Sequence, residues 1–348
     1  MIYLMHKTLF SLAAFLVILL PVAVFAANSA VVFMYHRFGE GKHPSTNIKI
    51  KQFENHLNEL KKKQYSVKSI PEILDKIVSN KPLPPKTIGI SIDDAFLSVY
   101  VEAWPRLRKL NFPFTLFVAT NPLDRQSSGY MSWYQLREMV KAGVTVGSQT
   151  ASHLHMPAGS EKRNQADLKK SNNRFMTELG FIPKIIAYPY GEYSLKVGKI
   201  SKAAGFEFGF GQHSGVLHKS SNFMYLPRFA FNEKYGGLAR LRLASGALPL
   251  EVSDVTPSDP YLRQTQNPPL FGFTVKKIPK KHLSNLRCYA SRQGKVHLER
   301  LGERRIEVRM KNALPPGRTR VNCTIQEKRG RWKWFGIQFL MQKKQTKR

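Results

Sequence analysis

Two adjacent carboxylates, Asp93 and Asp94, follow a short apolar run that ends at Ile92. Neighbouring residues within a strand point to opposite faces, but where a strand ends the chain turns and both side chains can enter one pocket. One carboxylate of such a pair can bind a metal ion while the other stays free as a base. A structural alternative has Asp94 capping a helix and Asp93 in a surface ion pair.

Two histidines, His153 and His155, follow a second β-type run, residues 144–146. Imidazole is a common ligand of zinc and similar divalent ions, so a pair beside a strand end favours metal binding over a packing role. Aspartate and histidine together would leave coordination positions open for water and substrate, which a hydrolytic metal site requires. We therefore expect hydrolytic chemistry where these strand ends meet.

The elements that must position these side chains alternate between strand and helix from about residue 30 to 248. We predict strands over 31–35, 88–92, 114–119 and 144–146, and helices over 48–64, 133–142 and 166–179. This alternation predicts an α/β fold whose mostly parallel sheet closes toward a barrel, with the chemistry at the carboxyl ends of the strands.

The pattern changes near residue 250. Prolines are frequent over residues 251–270, which predicts a linker, and residues 271–342 hold short strands without intervening helices. Such a pattern is typical of a small antiparallel β-sandwich. We place the first domain at residues 27–250. Cys288 and Cys323 lie in two of the later strands and can pair if the protein meets an oxidising compartment.

The N-terminal segment bears on that compartment. An uncharged, apolar run follows Lys7 and ends in small residues, so residues 1–26 resemble a secretory signal peptide that is cleaved after Ala26. The run is also long enough to remain as a membrane anchor. Both alternatives predict export, to the periplasm or outside the cell.

The net charge of +32 predicts attraction to polyanions. Residues 254–348 carry 23 Lys and Arg against six Asp and Glu, a net of +17, and end in a basic tail at 343–348. We expect this domain to dock on an anionic envelope surface, apart from the candidate catalytic residues. Trp332 and Trp334 among basic residues would also suit nucleic acid, but an exported protein rarely meets it, so no nucleic-acid partner is expected.

Over most of residues 30–235 the chain resembles the polysaccharide deacetylase family, the carbohydrate esterases with a NodB-type domain. The aspartate pair matches the family's first motif, which implies Asp93 as the general base and Asp94 as a metal ligand. Thr150 and His153 match the second motif, in which two histidines stand four positions apart, but the first of these positions is Gln149. The resemblance implies a metal site formed by Asp94, His153 and Gln149.

The segment from Tyr188 to Tyr193 resembles the third motif of the family. This implies a substrate groove walled by Tyr188, Pro189, Tyr190 and Gly191, with a backbone N–H near Tyr190 directed at the oxyanion. The arginine that many members carry two residues before the proline is Ala187 here. Arg228 is the candidate replacement, which would orient Asp93 through a charge-assisted hydrogen bond.

His36 ends the first predicted strand and precedes the aspartate pair. This order resembles the circularly permuted branch of the family, similar to periplasmic poly-N-acetylglucosamine deacetylases, and implies that His36 is the general acid that protonates the leaving amine. A histidine that is hydrogen-bonded within its own loop is the structural alternative.

Together the resemblance implies a NodB-like distorted (β/α) barrel followed by a β-sandwich, and hydrolysis of N-acetyl groups from an N-acetylated polysaccharide. The implied cofactor is Zn²⁺, with Mn²⁺ or Co²⁺ as alternatives because the amide of Gln149 is a poorer ligand than imidazole. His155 is a candidate compensating ligand. The competing hypothesis is a glycan-binding protein in which the substitution at Gln149 has weakened or abolished catalysis.

Overall fold

The computed structural model of the protein describes residues 27–327 and 330–342. The expected signal peptide at 1–26 and basic tail at 343–348 therefore lie outside the described residues. Within the described ranges, no helix has both the length and the apolar character that crossing a bilayer requires.

The first domain alternates strands and helices. Its strands are β1 (Ser29–Tyr35), β2 (Arg37–Phe38), β3 (Asn47–Ile48), β4 (Ser66–Val67), β5 (Thr87–Asp93), β6 (Thr115–Val118), β7 (Thr145–Ser148), β8 (Ile185–Ala187), β9 (Phe208–Phe210), β10 (Leu217–His218) and β11 (Phe229–Ala230). Its α-helices are α1 (Ile50–Leu60), α2 (Ile70–Val78), α3 (Trp104–Lys109), α4 (Thr120–Asp124), α5 (Trp133–Lys141), α6 (Glu161–Leu179), α7 (Leu195–Ala203) and α8 (Leu238–Ser245).

The main sheet has the order β10-β1-β5-β6-β7-β8-β9, with β11 beside β1 and β4 beside β5. All neighbours except the antiparallel β10 pair in parallel, and the sheet curls into a partial barrel. Every residue of β5 is buried, because other elements of the chain cover both faces of the sheet. The predicted α/β fold with a parallel, barrel-like sheet is confirmed.

The predicted helices form where apolar side chains repeat on one face. In α1, Phe53, Leu57 and Leu60 are buried against the sheet. Helix α6 begins five residues before the predicted start, because Ser160 caps its N-terminus by accepting a hydrogen bond from the Arg163 N–H. It ends at Gly180, whose φ of 78° suits glycine.

The second domain consists mainly of strands, with two short 3₁₀-helices at Gln264–Gln266 and Lys280–Asn285. Its strands are β12 (Leu248–Pro249), β13 (Val252–Thr256), β14 (Tyr261–Leu262), β15 (Phe271–Val275), β16 (Arg287–Ala290), β17 (Gly294–Lys295), β18 (His297–Leu301), β19 (Arg305–Arg309), β20 (Gly317–Gln326) and β21 (Trp332–Met341). One sheet has the order β12-β21-β20-β16-β17 with β14 beside β21, and the other has the order β13-β15-β19-β18. Apolar residues from both sheets share one core. Cys288 and Cys323 form a disulfide between β16 and β20.

The segment predicted to be a linker, residues 251–270, instead contributes β13 and β14 to this sandwich. Its prolines lie mainly between strands, where the missing N–H costs no ladder hydrogen bond. The two domains are also joined directly, because the Tyr225 hydroxyl of the first domain donates to the Gln338 carbonyl of β21 at 3.3 Å.

Candidate active site

Two candidate catalytic residues, Asp93 and His36, meet at the carboxyl ends of two neighbouring parallel strands. Asp93 is the last residue of β5, and His36 directly follows β1. These strands are neighbours, with Tyr35 opposite Ile92, so the register places His36 beside Asp93. The distance from His36 Nε2 to Asp93 Oδ2 is 3.8 Å.

Arg228 makes a bidentate ion pair with the Asp93 carboxylate. One terminal nitrogen of Arg228 donates to Asp93 Oδ1 at 2.6 Å and the other donates to Oδ2 at 2.9 Å, and both side chains have no solvent exposure. The guanidinium also donates to Ser91 Oγ and to the Gly211 carbonyl, each at 3.0 Å. A planar guanidinium in this geometry fixes the orientation of the carboxylate and also balances its charge.

The side chains of Asp93 and Asp94 both face the candidate site because the chain turns sharply after β5. Asp94 has a φ of 76° and Ala95 a φ of 51°. The Asp94 N–H donates to the Phe117 carbonyl at 3.0 Å and to Gln149 Oε1 at 3.1 Å. This left-handed turn carries the Asp94 side chain to the side where Asp93 already points.

A second turn, after β7, places His153. Thr150 and His153 both have left-handed backbone conformations, with φ values of 66° and 54°. The His153 N–H donates to Thr150 Oγ1 at 3.0 Å. Asp167 of α6 accepts hydrogen bonds from the N–H groups of Ala151 and Ser152, at 2.8 and 3.2 Å. Residues in strained conformations persist where such contacts hold them, and they often mark functional sites.

Asp94 and His153 offer two donors that suit one divalent cation. Asp94 Oδ1 lies 3.4 Å from His153 Nε2, and within the described residues this buried oxygen has no hydrogen-bond partner of normal geometry. Two ligands of a tetrahedral Zn²⁺, each about 2.0–2.2 Å from the ion, lie roughly 3.4 Å apart. The described chain brings no group of three His, Cys, Asp or Glu side chains together in this way.

The charge of Asp94 is stabilised despite its burial. Burial alone would raise the pKa of the Asp94 carboxyl, but the contact with His153, the charges of His36 and His153, and the amide of Gln149 lower that pKa below its ordinary value. Asp94 is therefore ionised at neutral pH, as a metal ligand must be.

The other candidate ligands, Gln149 and His155, each have one polar side-chain atom engaged by another group. Gln149 is buried and its Oε1 accepts the Asp94 N–H, which leaves its Nε2 without a hydrogen bond in the described part of the chain. The Asp94 N–H fixes this orientation, because a flipped amide would set two donors against each other. His155 Nδ1 lies 2.7 Å from Glu192 Oε2, and its ring stacks on Tyr190.

The segment after β8 brings Tyr190 beside the two histidines. The Tyr190 ring lies 4.5 Å from the His153 ring, and its φ is 61°. The Tyr190 N–H donates to no group of the described chain, so it is available to a bound ligand. Burial and the charges of Glu192 and Asp94 raise the pKa of Tyr190, so its hydroxyl is neutral.

The prediction that Tyr188 walls the groove is corrected by its burial. Its side chain has no exposure, and its ring packs 5.2 Å from the ring of Tyr193. Strand β8 ends immediately before it, and the alternation of side chains directs Tyr188 into the core. Pro189 and Gly191 are also buried, so among these four residues only Tyr190 presents a partly exposed side chain.

Three residues near the site were not predicted. Tyr130 packs 4.8 Å from Phe96, and burial and the charge of Asp94 raise the pKa of Tyr130. Arg318 of β20 and Gln338 of β21 both contact the carbonyl of Tyr190. The expectation that the basic second domain lies apart from the catalytic residues is therefore wrong, because two ten-residue strands extend to the first domain.

Comparisons with known proteins agree with this geometry. Residues 80–209 match the family model described as polysaccharide deacetylase. A poly-beta-1,6-N-acetyl-D-glucosamine N-deacetylase of Staphylococcus aureus (strain MRSA252) is 26% identical over 235 residues, which cover 59% of this chain and 80% of that protein.

Two solved structures share the fold. The deacetylase PplD of Streptococcus pyogenes, in complex with acetate, superposes with a TM-score of 0.58 at 20% identity, over 62% of this chain and 98% of that one. IcaB from Ammonifex degensii superposes with a TM-score of 0.56 at 24% identity, over 63% of this chain and 98% of that one. The NodB-like barrel is thus confirmed for the first domain.

Proposed function

We propose that this chain, whose residues 80–209 match the polysaccharide deacetylase family model, is a carbohydrate deacetylase that hydrolyses the N-acetyl groups of an N-acetylglucosamine polymer. The products are acetate and a free amino sugar. The observation that carries the proposal is the Asp93 carboxylate, which Arg228 orients and which faces His36 at 3.8 Å. A base and an acid side by side can serve the two proton transfers of amide hydrolysis.

Each residue of the site has a separate role in the proposed reaction. Asp93 accepts a proton from the attacking water, and His36 gives a proton to the nitrogen of the departing amine. The Tyr190 N–H donates a hydrogen bond to the oxygen that becomes negative during the attack. No side chain forms a covalent intermediate in this scheme, so water adds directly to the carbonyl carbon of the acetyl group.

Asp94 Oδ1 and His153 Nε2 would hold the divalent cation, for which Zn²⁺ is the first candidate and Mn²⁺ and Co²⁺ are alternatives. When bound there, it would polarise the acetyl carbonyl and increase the acidity of water. Gln149 would act on this site through the Asp94 backbone, since its oxygen already accepts that N–H.

Acetate release tests the proposal. Wild-type protein is incubated with β-1,6- and β-1,4-linked N-acetylglucosamine oligomers, with Zn²⁺, Mn²⁺ or Co²⁺ added and with a chelator. We expect release from at least one oligomer that falls on chelation and is lost in Asp93→Asn. Oligomer binding that is unaffected by chelation, without acetate release above the Asp93→Asn level, would instead support a glycan-binding protein.

We further propose that the protein is exported and that its second domain docks on an anionic surface of the cell envelope. The apolar segment before residue 27 and the net charge of +17 over residues 254–348 support this proposal. Electrostatic docking weakens as salt screens the charges. Retention of the protein on envelope fractions should therefore fall steeply between low and high salt. Retention that does not depend on salt concentration would contradict the docking proposal.

A further inference from the structure

Side chains of the second domain donate hydrogen bonds to the backbone of the segment from Tyr188 to Tyr193. Gln338, a buried residue of β21, donates its Nε2 to the carbonyls of Tyr190 at 3.2 Å and Gly191 at 2.9 Å. Arg318 of β20 donates to the same Tyr190 carbonyl at 3.3 Å. Two consecutive carbonyls of a candidate active-site loop are thus held by side chains that belong to the other domain.

The side chains of the loop are tied to the same domain. The Arg318 guanidinium lies 5.3 Å from the centroid of the Tyr190 ring, and its Nε lies 3.7 Å from Glu192 Oε1. Glu192 in turn contacts His155, whose ring stacks on Tyr190 at a centroid distance of 4.1 Å. Arg318 therefore contributes to an arrangement that encloses the Tyr190 ring.

This loop needs external support because its backbone is unfavourable. Tyr190 has a φ of 61°, a conformation that a residue with a Cβ rarely adopts. Gly191 has a φ of 68°, and a Cβ at this position would lie 2.5 Å from the backbone of Gln212. Conformations of this kind persist when the surroundings over-determine them. The contacts of Gln338 and Arg318 supply such constraints from one side.

We propose that Gln338 and Arg318 are positioning residues, through which the β-sandwich sets the direction of the Tyr190 N–H toward the substrate's carbonyl oxygen. By holding the carbonyls of Tyr190 and Gly191, they fix the two peptide planes that follow Tyr190. The left-handed backbone of Tyr190 couples the first of these planes to the peptide that carries the Tyr190 N–H. The sandwich is then a structural part of the active site in addition to any role in docking. The catalytic consequence rests on the proposed deacetylase function, whereas the control of the loop conformation does not.

Two variants of the full chain and one matched control test the inference. Gln338→Glu keeps the shape and the oxygen that accepts from Arg320 but replaces the donor that faces both carbonyls. Arg318→Ala removes the second donor and the contact with Tyr190. Arg300→Ala removes one exposed arginine from the opposite sheet of the same domain and is the control for charge and for general destabilisation.

Amide hydrogen exchange gives the readout that is independent of activity. In the peptide that contains residues 188–193, the N–H groups of Gly191 and Glu192 donate within the loop. We expect their exchange to become about tenfold faster in Gln338→Glu and faster in Arg318→Ala, since local opening governs exchange. Exchange should stay unchanged in Arg300→Ala. Equal exchange in all four proteins would overturn the inference.

Steady-state kinetics test the catalytic consequence. A misdirected donor acts in the transition state, so kcat should fall roughly tenfold in Gln338→Glu while KM changes less than about twofold. A general loss of structure would lower the melting temperature and alter both constants. Faster loop exchange with unchanged kcat would overturn the positioning role. If wild-type protein releases no acetate, the proposed function fails, and the exchange data alone decide whether the sandwich controls the loop.

Discussion

Replacing Arg228 by Met tests the buried ion pair that orients Asp93. The substitution keeps an unbranched side chain of similar length but leaves the Asp93 carboxylate without its two donors, at 2.6 and 2.9 Å, in a site with no exposure. Hydrogen bonds to charged groups contribute about 1.5–3 kcal/mol each. Removing one partner of a buried pair costs about 3–5 kcal/mol. We therefore expect the free energy of unfolding to fall by about 3–5 kcal/mol in Arg228→Met.

Urea denaturation followed by tryptophan fluorescence measures this loss. The matched control is Arg309→Met, because Arg309 also donates two hydrogen bonds to a carboxylate, that of Glu299, with about 40% exposure on both sides. The control should lose less than about 1 kcal/mol. The double variant Arg228→Met/Asp93→Asn should be less destabilised than the two single changes added together, since no uncompensated charge remains.

The activity of Arg228→Met gives a second measure of the same contact. Without the two hydrogen bonds from Arg228, the Asp93 carboxylate is free to rotate. Misplacing a catalytic group by about 1 Å can lower the rate roughly 10²-fold. An Arg228→Met protein that unfolds at the same urea concentration as the wild type and keeps its kcat would refute the role assigned to the pair.

Three further outcomes follow from the site and its surroundings. His36→Gln should lower kcat about 10²–10⁴-fold with little change in KM, because it removes the proton donor for the amine; a change in KM alone would contradict this role. Gln149→His should bind Zn²⁺ at least about tenfold more tightly in competition with a chelator, and equal affinity would show that position 149 faces away from the ion. Burial lowers the pKa of His56 to about 4, outweighing its hydrogen bond to the Gly236 carbonyl. Between pH 6.5 and 4 the unfolded chain therefore binds a proton at His56 that the folded chain does not. This one histidine should make acidification cost up to about 1.4 kcal/mol of unfolding free energy per pH unit, and His56→Gln should reduce the slope in pH-dependent urea titrations by about that amount.

The meeting of Asp93, Asp94, His36 and His153 could be expected from the sequence. Each of these residues follows an apolar run, and in a parallel sheet the ends of neighbouring runs meet at one edge. The same local patterns predicted the strands and helices of the first domain. The position of Arg228 was inferred from the resemblance to a family, since its spacing alone indicates no partner.

The features that sequence reasoning missed depend on contacts between distant parts of the chain. Gln338 stands 148 residues after Tyr190, and only the docking of the sandwich brings them together. The orientation of Gln149 depends on the left-handed turn at Asp94, which directs an N–H toward its oxygen. Residues 251–270 looked like a linker because of their prolines, yet pairing with the sandwich makes strands of β13 and β14.

The most direct test of the central claim is the fate of solvent oxygen during turnover. Wild-type protein is incubated with N-acetylglucosamine oligomers in ¹⁸O-labelled water, and acetate and free amine are quantified by mass spectrometry. We expect one ¹⁸O atom per acetate, one free amine per acetate, and loss of both products in Asp93→Asn. Acetate released at the wild-type rate by Asp93→Asn, or released without label from the solvent, would contradict the central claim.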